Sequence, residues 1–219
     1  RYDLNSGGTI FDDLNRDIKI DEYAAFGQLG KKFGEVFKLT VAGRYDKSQN
    51  FEGRFTPRVT GVWTIAKNSN IRASFQTGFR NPTTQNQYIN LSVGGGSQVL
   101  IGGIPEFLNK NNLLTNKPYT EASYRQAVAG TGPLVAYNFD PRGVRPESVT
   151  AYELGFKSLL GSNLLLDVYG FMNEYKDFIT GINVYQNKNA GTALPADFVK
   201  FGVPVNANGK VTTYGGALG

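Results

Sequence analysis

Charged side chains alternate with apolar ones along much of this chain instead of gathering into clusters. In the stretch from Glu35 to Asp46, odd positions hold Phe37, Leu39, Val41 and Tyr45, whereas even positions hold Lys38, Thr40, Arg44 and Asp46. The charged candidates that this spacing selects are Lys38, Arg44, Arg54, Arg58, Arg72, Arg80, Glu153 and Lys157. Alternate side chains of a strand share one face, so this face could hold a polar or anionic partner. The alternative is a ladder of cross-strand charges that water solvates.

The chain lacks the residue types on which most hydrolases and metalloenzymes depend. It contains no His and no Cys, which removes Ser-His triads, thiolate nucleophiles and the common zinc sites. Its 23 Lys and Arg are interspersed with 18 acids, for a net charge of +5, and nucleic-acid binding would require a clustered basic face. The sequence therefore predicts a protein that is not an enzyme, needs no cofactor and binds no nucleic acid.

Two polar segments are candidates for binding a ligand or an ion. The segment 81–90 is rich in amides, which suit hydrogen bonding to a sugar, peptide or chelate; the candidates in it are Asn81, Gln85, Gln87 and Tyr88. The alternative is a polar loop that docks on its neighbours. Acidic residues also gather at 12–22, but their spacing does not match a calcium loop. We predict no metal site there.

The alternation requires strands, because side chains at successive positions of a strand point to opposite faces. We predict strands at about 22–32, 35–46, 53–66, 69–80, 148–160, 163–178 and 210–219. Most of these are longer than the five or six residues of an average soluble strand and long enough to cross a bilayer. Pairing Ala66 with Asn70 would keep the even positions of two neighbouring strands on one face.

The connections between these strands alternate between short and long. Tight turns are expected at 33–34, 67–69 and 161–162, and longer irregular connections at 1–21, 47–52, 81–147 and 179–209. Outer-membrane barrels show this asymmetry, with short periplasmic turns and long extracellular loops. The fold class predicted is all-β, a transmembrane antiparallel β-barrel. A soluble β-sandwich that binds a ligand is the alternative, although its turns would recur every 8–12 residues or so.

Four blocks of sequence resemble the barrel of TonB-dependent receptors. They are FTPRV at 55–59, IRASFQTGFRNP at 71–82, RPESVTAYELGF at 145–156 and VTTYG at 211–215. Their order and spacing extend the resemblance over roughly 22–219. The amino-acid sequence at 72–85 is similar to the corresponding sequence in Bacteroidetes members of the family. In these members a carboxypeptidase-regulatory-like domain often precedes the receptor.

The resemblance implies a 22-stranded barrel that encloses a plug domain and is energised through an N-terminal TonB-contacting box. Six full strands and the start of a seventh cannot close such a barrel, so we expect this chain to be a partial arc without plug or box. The implied partners are the receptor's own plug domain, TonB, outer-membrane lipid and a surface lipoprotein. The eight charged candidates would then face the lumen or plug, with Glu153 as the first candidate for a plug contact.

The function that the resemblance implies is energised uptake of a scarce nutrient. A siderophore, glycan, peptide or cobalamin would fit equally well. A passive porin or a surface-adhesion barrel is the alternative function.

Overall fold

The computed structural model describes residues 2–5, 17–161, 163–188, 194 and 196–219. The predicted strands and the predicted turns at 33–34 and 67–69 lie in these ranges, whereas residue 162 of the third turn and Asp12 and Asp13 of the acidic segment lie outside them. No helix within the described ranges is long and apolar enough to cross a membrane.

Seven long strands form one antiparallel sheet, which we call the wall. In chain order they are β3 (Glu22–Phe33), β4 (Phe37–Ser48), β5 (Arg54–Ala66), β6 (Ser69–Arg80), β10 (Glu147–Leu160), β11 (Leu164–Lys176) and β14 (Lys210–Leu218). Their order across the wall is β14-β11-β10-β6-β5-β4-β3. A further short pair, β1 (Tyr2–Asn5) and β2 (Asp17–Ile20), is separate from the wall.

The predicted loops 81–147 and 179–209 were wrongly expected to be irregular. They contain helices α1 (Thr84–Tyr88), α2 (Pro105–Lys110) and α3 (Glu121–Val128), together with strands β7 (Asn90–Val93), β8 (Gln98–Ile101), β9 (Tyr119–Thr120), β12 (Ile179–Asn187) and β13 (Phe198–Asn206). The strands form a second sheet in the order β7-β8-β13-β12-β9. We call this sheet with its three helices the cap.

The buried hydrophobic core belongs to the cap rather than to the wall. Ile101, Phe107, Leu113, Val184 and Phe201 are at most 2% exposed and pack in one cluster, which the short strand β2 also joins. The cap therefore has the packed interior of a small globular domain. Its contacts join segments far apart in the chain, which is why no local periodicity revealed it.

The wall has one apolar face and one polar face. Cross-strand partners point to the same side of a sheet, and one complete row of partners through all seven strands is apolar: Leu29, Val41, Val59, Phe75, Tyr152, Met172 and Tyr214. The row beside it on the other face is Gln28, Ala42, Arg58, Gln76, Ala151, Asn173 and Thr213. The alternation read from the sequence thus extends across the whole sheet.

The apolar face is exposed even where the sheet is complete on both sides. Trp63 on β5 and Leu154 on β10 are 55% and 62% exposed, although each strand has two hydrogen-bonded neighbours. A soluble sheet of this kind would bury such a face against a second layer. Here the apolar face must be covered from outside the chain.

The three tight turns lie at one end of the wall strands, and the cap lies at the other end. Gly34 and Gly161 occupy two of the turns with φ of +62° and +64°, a conformation that favours glycine. At the turn between β5 and β6, the register shifts between Thr64 and Ala66, so Ala66 pairs with Ser69 and not with Asn70 as expected. The shift leaves the faces of both strands as predicted.

Candidate functional site at the polar face and the cap junction

The register of the wall places all eight charged candidates on its polar face. They pair with residues of that face as follows: Lys38 with Val62, Arg44 with Thr56, Arg54 with Asp46, Arg58 with Gln76, Arg72 with Gly155, Arg80 with Glu147, Glu153 with Ser74, and Lys157 with Asn70. Sequence spacing alone was sufficient to group them, because a period of two fixes the face of every residue once a strand is located.

An ionic network crosses three strands of the polar face. Arg72 on β6 reaches over β10 to Asp167 on β11, with Nη2 3.2 Å from Oδ1, and its Nε lies 3.5 Å from Glu153 Oε1. Lys157 Nζ lies 3.7 Å from the same Asp167. The side chain of Arg72 passes directly over Gly155, where a Cβ would come within 2.7 Å of Nε. A side chain at position 155 would therefore displace Arg72 from this path.

The remaining candidates on this face differ in their partners. Arg44 makes a bidentate contact with Asp46, at 2.7 and 2.9 Å, and Arg54 Nη2 donates to the carbonyl of Pro146 at 3.3 Å. Two candidates have neither an ionic nor a hydrogen-bonding partner within the described ranges: Lys38 and Arg58. These two are the cations most available to a group from outside the chain.

Glu147 connects the wall to the cap. Its side chain is 11% exposed and accepts hydrogen bonds from Arg80 Nε at 2.8 Å and Nη2 at 3.1 Å. It also accepts from the backbone N–H of Ile179, the first residue of cap strand β12, at 3.1 Å. One carboxylate thus joins the end of β6, the start of β10 and the start of β12.

A second polar cluster fixes the same junction. Asn206 at the end of β13 accepts from Arg145 N at 2.7 Å and donates to the carbonyls of Arg145 and Asp177 at 2.8 and 2.6 Å. The Arg145 guanidinium pairs with Asp177 at 2.9 Å and with Asp140. Hydrogen bonds from Arg142 hold the pKa of Asp140 well below its ordinary value. The cap is therefore held at the wall by several directional contacts.

A cavity of about 600 Å³ opens between the cap and the loop that joins β4 to β5. Three arginines line it, Arg54, Arg142 and Arg145, together with Glu52 and Glu106. A site of this size and mixed charge is suited to a polar ligand with several hydrogen-bonding groups. Arg145 both lines the cavity and fixes the junction, so the shape of the cavity depends on the position of the cap.

The amide candidates of the segment 81–90 divide into two groups. Gln87 and Tyr88 are 4% and 9% exposed, and both accept a hydrogen bond from Asn50 Nδ2, at 2.7 and 2.5 Å. Their burial argues against ligand contact and favours the alternative of docking on a neighbouring loop. Asn81 donates to Glu22 at 3.2 Å, whereas Gln85 is exposed beside a groove on the cap.

The carboxyl group of Glu121 in the cap has a strongly lowered pKa. Hydrogen bonds from Arg125 at 2.9 Å and Asn183 at 3.0 Å, with Lys200 at 3.4 Å, lower its pKa from 4.5 to about 2. A lowered folded-state pKa contributes stability above the unfolded value, and this contribution is lost as the pH falls through the folded value. Glu121 therefore stabilises the cap above about pH 4.5 and ceases to do so towards pH 2.

We expect the acid sensitivity of the cap to depend on Glu121. Between about pH 4.5 and pH 2, the native protein should lose cap stability more steeply than the Glu121→Gln variant, because the amide does not titrate. Hydrogen exchange of the β12 and α3 amides across this pH range measures the difference. Identical pH profiles for the two proteins would contradict the assignment.

The sequence did not single out Arg142 or Asn206, which the structure brings together with Asp177 at the junction. The block at 145–156 includes Arg145 and Glu147, but most of the partners of these two residues, such as Asp177 and Asn206 for Arg145, lie far away in the chain. Within the described ranges, no three acidic side chains are grouped closely enough to hold a metal ion. The junction is thus built from ion pairs and amide hydrogen bonds.

Comparison with known proteins identifies the family. The family described as TonB dependent receptor-like, beta-barrel matches residues 1–219. The iron-regulated outer membrane virulence protein of Vibrio cholerae is 25% identical over 166 residues, which is 75% of this chain and 20% of that protein. This chain therefore spans about a fifth of the length of the curated relatives it matches.

Solved structures share the fold at low sequence identity. The siderophore receptor PirA of Pseudomonas aeruginosa superposes with a TM-score of 0.58 at 15% identity, covering 93% of this chain and 31% of that one. The ferric enterobactin receptor PfeA of the same organism gives 0.60 at 14%, covering 91% and 24%. The hemophore receptor HasR of Serratia marcescens gives 0.59 at 12%, covering 91% and 31%. With its full-length family match, its two-faced sheet and its long strands, the chain belongs to the TonB dependent receptor-like β-barrel family and is part of the wall of a bacterial outer-membrane barrel.

Proposed function

We propose that this chain contributes wall strands and a surface cap to a receptor that imports a scarce nutrient across the outer membrane with energy supplied through TonB. The observation that carries the proposal is a wall with one apolar and one polar face, which has tight turns at one end of its strands and a folded cap at the other end. In such a barrel the apolar face contacts lipid, the polar face lines the lumen, and the cap is extracellular.

The partners follow from this orientation. The plug domain and the TonB-contacting box belong to the rest of the receptor, and the plug would contact the polar face. Lys38 and Arg58 are now the better candidates for that contact, because Glu153 is already 3.5 Å from Arg72. A surface lipoprotein that covers the cap would be a further partner if the receptor is of the Bacteroidetes type.

The cargo would first meet the cap and its junction cavity. Similar proteins include receptors named for siderophores, enterobactin and a hemophore, and the Vibrio relative is named as iron-regulated. These names favour an iron-containing cargo over a glycan, peptide or cobalamin. The arginines of the cavity would suit an anionic chelate.

Growth on limiting nutrients tests the proposal. A strain that lacks the receptor and a strain that lacks TonB should show the same growth defect on one of four supplies: ferric chelates, cobalamin, oligosaccharides or peptides. Restoring the full receptor should rescue the first strain alone. Uptake that persists without TonB would instead establish a passive porin, and the absence of any uptake defect would favour a surface-adhesion barrel.

A further inference from the structure

Lys31 interrupts the apolar face of the wall in the part that lies towards the tight turns. The three successive rows of that face that begin at Leu29, Lys31 and Phe33 run across all seven strands. Lys31 is the one charged residue in these three rows. The rest of its own row is Leu39, Gly61, Ala73, Leu154, Gly170 and Gly216. An ammonium group in this position needs a partner, because burying it in hydrocarbon is costly.

The surroundings of Lys31 are aromatic. Its Nζ lies 5.2 Å from the centroid of the Phe33 ring. Phe33 stacks on Phe37 at 5.8 Å, and Phe37 contacts Trp63 at 4.8 Å. Lys31 lies on β3, the last strand on one side of the wall, and within the described ranges no carboxylate pairs with it. The ring contact orients the ammonium, but its three N–H donors have no acceptor among the described residues.

The height of Lys31 on the wall places it near a membrane surface. It lies three residues before Gly34 in the tight turn, which is about 10 Å along the strand. Leu154 is in the same row but lies seven residues before Gly161 in its own turn, so it is farther from the turns than Lys31 is. The difference arises because barrel strands are tilted, so a row of cross-strand partners runs obliquely to the end of the barrel. Lys31 is therefore at the edge of the apolar band, on the side of the tight turns.

We propose that Lys31, with the aromatic row Phe33, Phe37 and Trp63, binds the phosphate of a phospholipid in the periplasmic leaflet. The inference rests on the proposed orientation of the wall, in which the apolar face contacts lipid. A lysine at the edge of an apolar band extends its ammonium to the headgroup region, where the phosphate accepts its hydrogen bonds. Phe33 contacts the ammonium, and Phe37 and Trp63 continue the row of rings on the next two strands, as aromatic side chains do at membrane interfaces.

Lys32 supplies a matched control for the test. It carries the same charge at the next position but lies on the polar face, opposite Lys38. The full receptor is purified in detergent and titrated with dioleoylphosphatidylglycerol, and bound lipid is counted by native mass spectrometry. We expect Lys31→Gln to weaken binding of the first lipid about five-fold, the effect of one cation at an anionic surface. Lys32→Gln should have no effect, and Lys31→Arg should retain binding.

Further measurements in the same experiment distinguish a bound phospholipid from other partners of Lys31. Inorganic phosphate should not displace the phospholipid, because the rings contribute contacts that the free ion lacks; displacement would show an anion site and overturn the proposal. Equal losses in Lys31→Gln and Lys32→Gln would show non-specific attraction, and unchanged lipid binding with lower stability would show a carboxylate partner elsewhere in the receptor. Either result overturns the phosphate site. TonB-dependent uptake is measured separately, so a failed lipid site leaves the proposed transport function standing.

Discussion

Replacing Leu154 with Arg should prevent stable insertion of the wall. Leu154 is 62% exposed on the apolar face and lies at the middle of the 14-residue strand β10. An arginine at the midplane of a barrel's lipid face costs roughly 2–4 kcal/mol. We expect the guanidinium midpoint of the refolded receptor in phosphocholine vesicles to fall accordingly, with less heat-modifiable barrel in outer-membrane fractions.

Ala151→Arg is the matched control for the Leu154 substitution. It adds the same side chain to the same strand, three residues away and on the opposite face, where its partners are Gln76 and Asn173. A polar, water-filled lumen should tolerate it at a cost below about 1 kcal/mol. Equal damage from the two substitutions would refute the orientation of the wall, and greater damage from Ala151→Arg would reverse it.

Removing the Glu147 carboxylate should detach the first cap strand from the wall. Glu147→Ala leaves the buried N–H of Ile179 without an acceptor, which costs roughly 2 kcal/mol. The loss of Arg80 as a partner adds little, because that side chain is 59% exposed and water replaces the carboxylate. Hydrogen exchange at Ile179 and along β12 should accelerate, while exchange in the middle of β6 and β10 should stay unchanged.

Two further variants define what Glu147 contributes. Glu147→Gln keeps an acceptor for Ile179 N–H and should recover at least half of the lost protection, which separates the hydrogen bond from the charge. Glu153→Gln removes a carboxylate that is 43% exposed and 3.5 Å from Arg72, so it should change stability by less than about 0.5 kcal/mol. If exchange at Ile179 were normal in Glu147→Ala, the role of Glu147 as the link between wall and cap would be excluded.

The polar junction also explains part of the sequence resemblance in physical terms. Arg80 lies in the block at 71–82 and Glu147 in the block at 145–156, and the two residues are partners on neighbouring strands. Gly155 of the second block provides the space in which Arg72 of the first block crosses to Asp167. Residues of the two blocks therefore contact each other at two places. Arg80 and Glu147 do so at the cap end of the wall, and Arg72 and Gly155 do so in its middle.

The binding candidates show where a local pattern is insufficient. Gln87 and Tyr88 have residue types that suit a ligand, yet both are buried against Asn50. Hydrogen-bonding capacity can be read from a residue type, but its availability depends on which segment packs over it. For the same reason, five of the eight charged candidates already have ionic partners within the wall, which the spacing could not show.

The sequence by itself determined the strands of the wall, their two faces and the end of the strands at which the tight turns lie. These features are local, because a period of two and a glycine in a turn act over a few neighbouring residues. Only the tertiary structure decided the cap and its attachment. Arg145 and Asn206 are 61 residues apart, and Arg80 and Glu147 are 67 apart. Such contacts form when distant segments pack into one core and leave no periodic signal in either segment, so the fold had to be known before the junction and its cavity could be located.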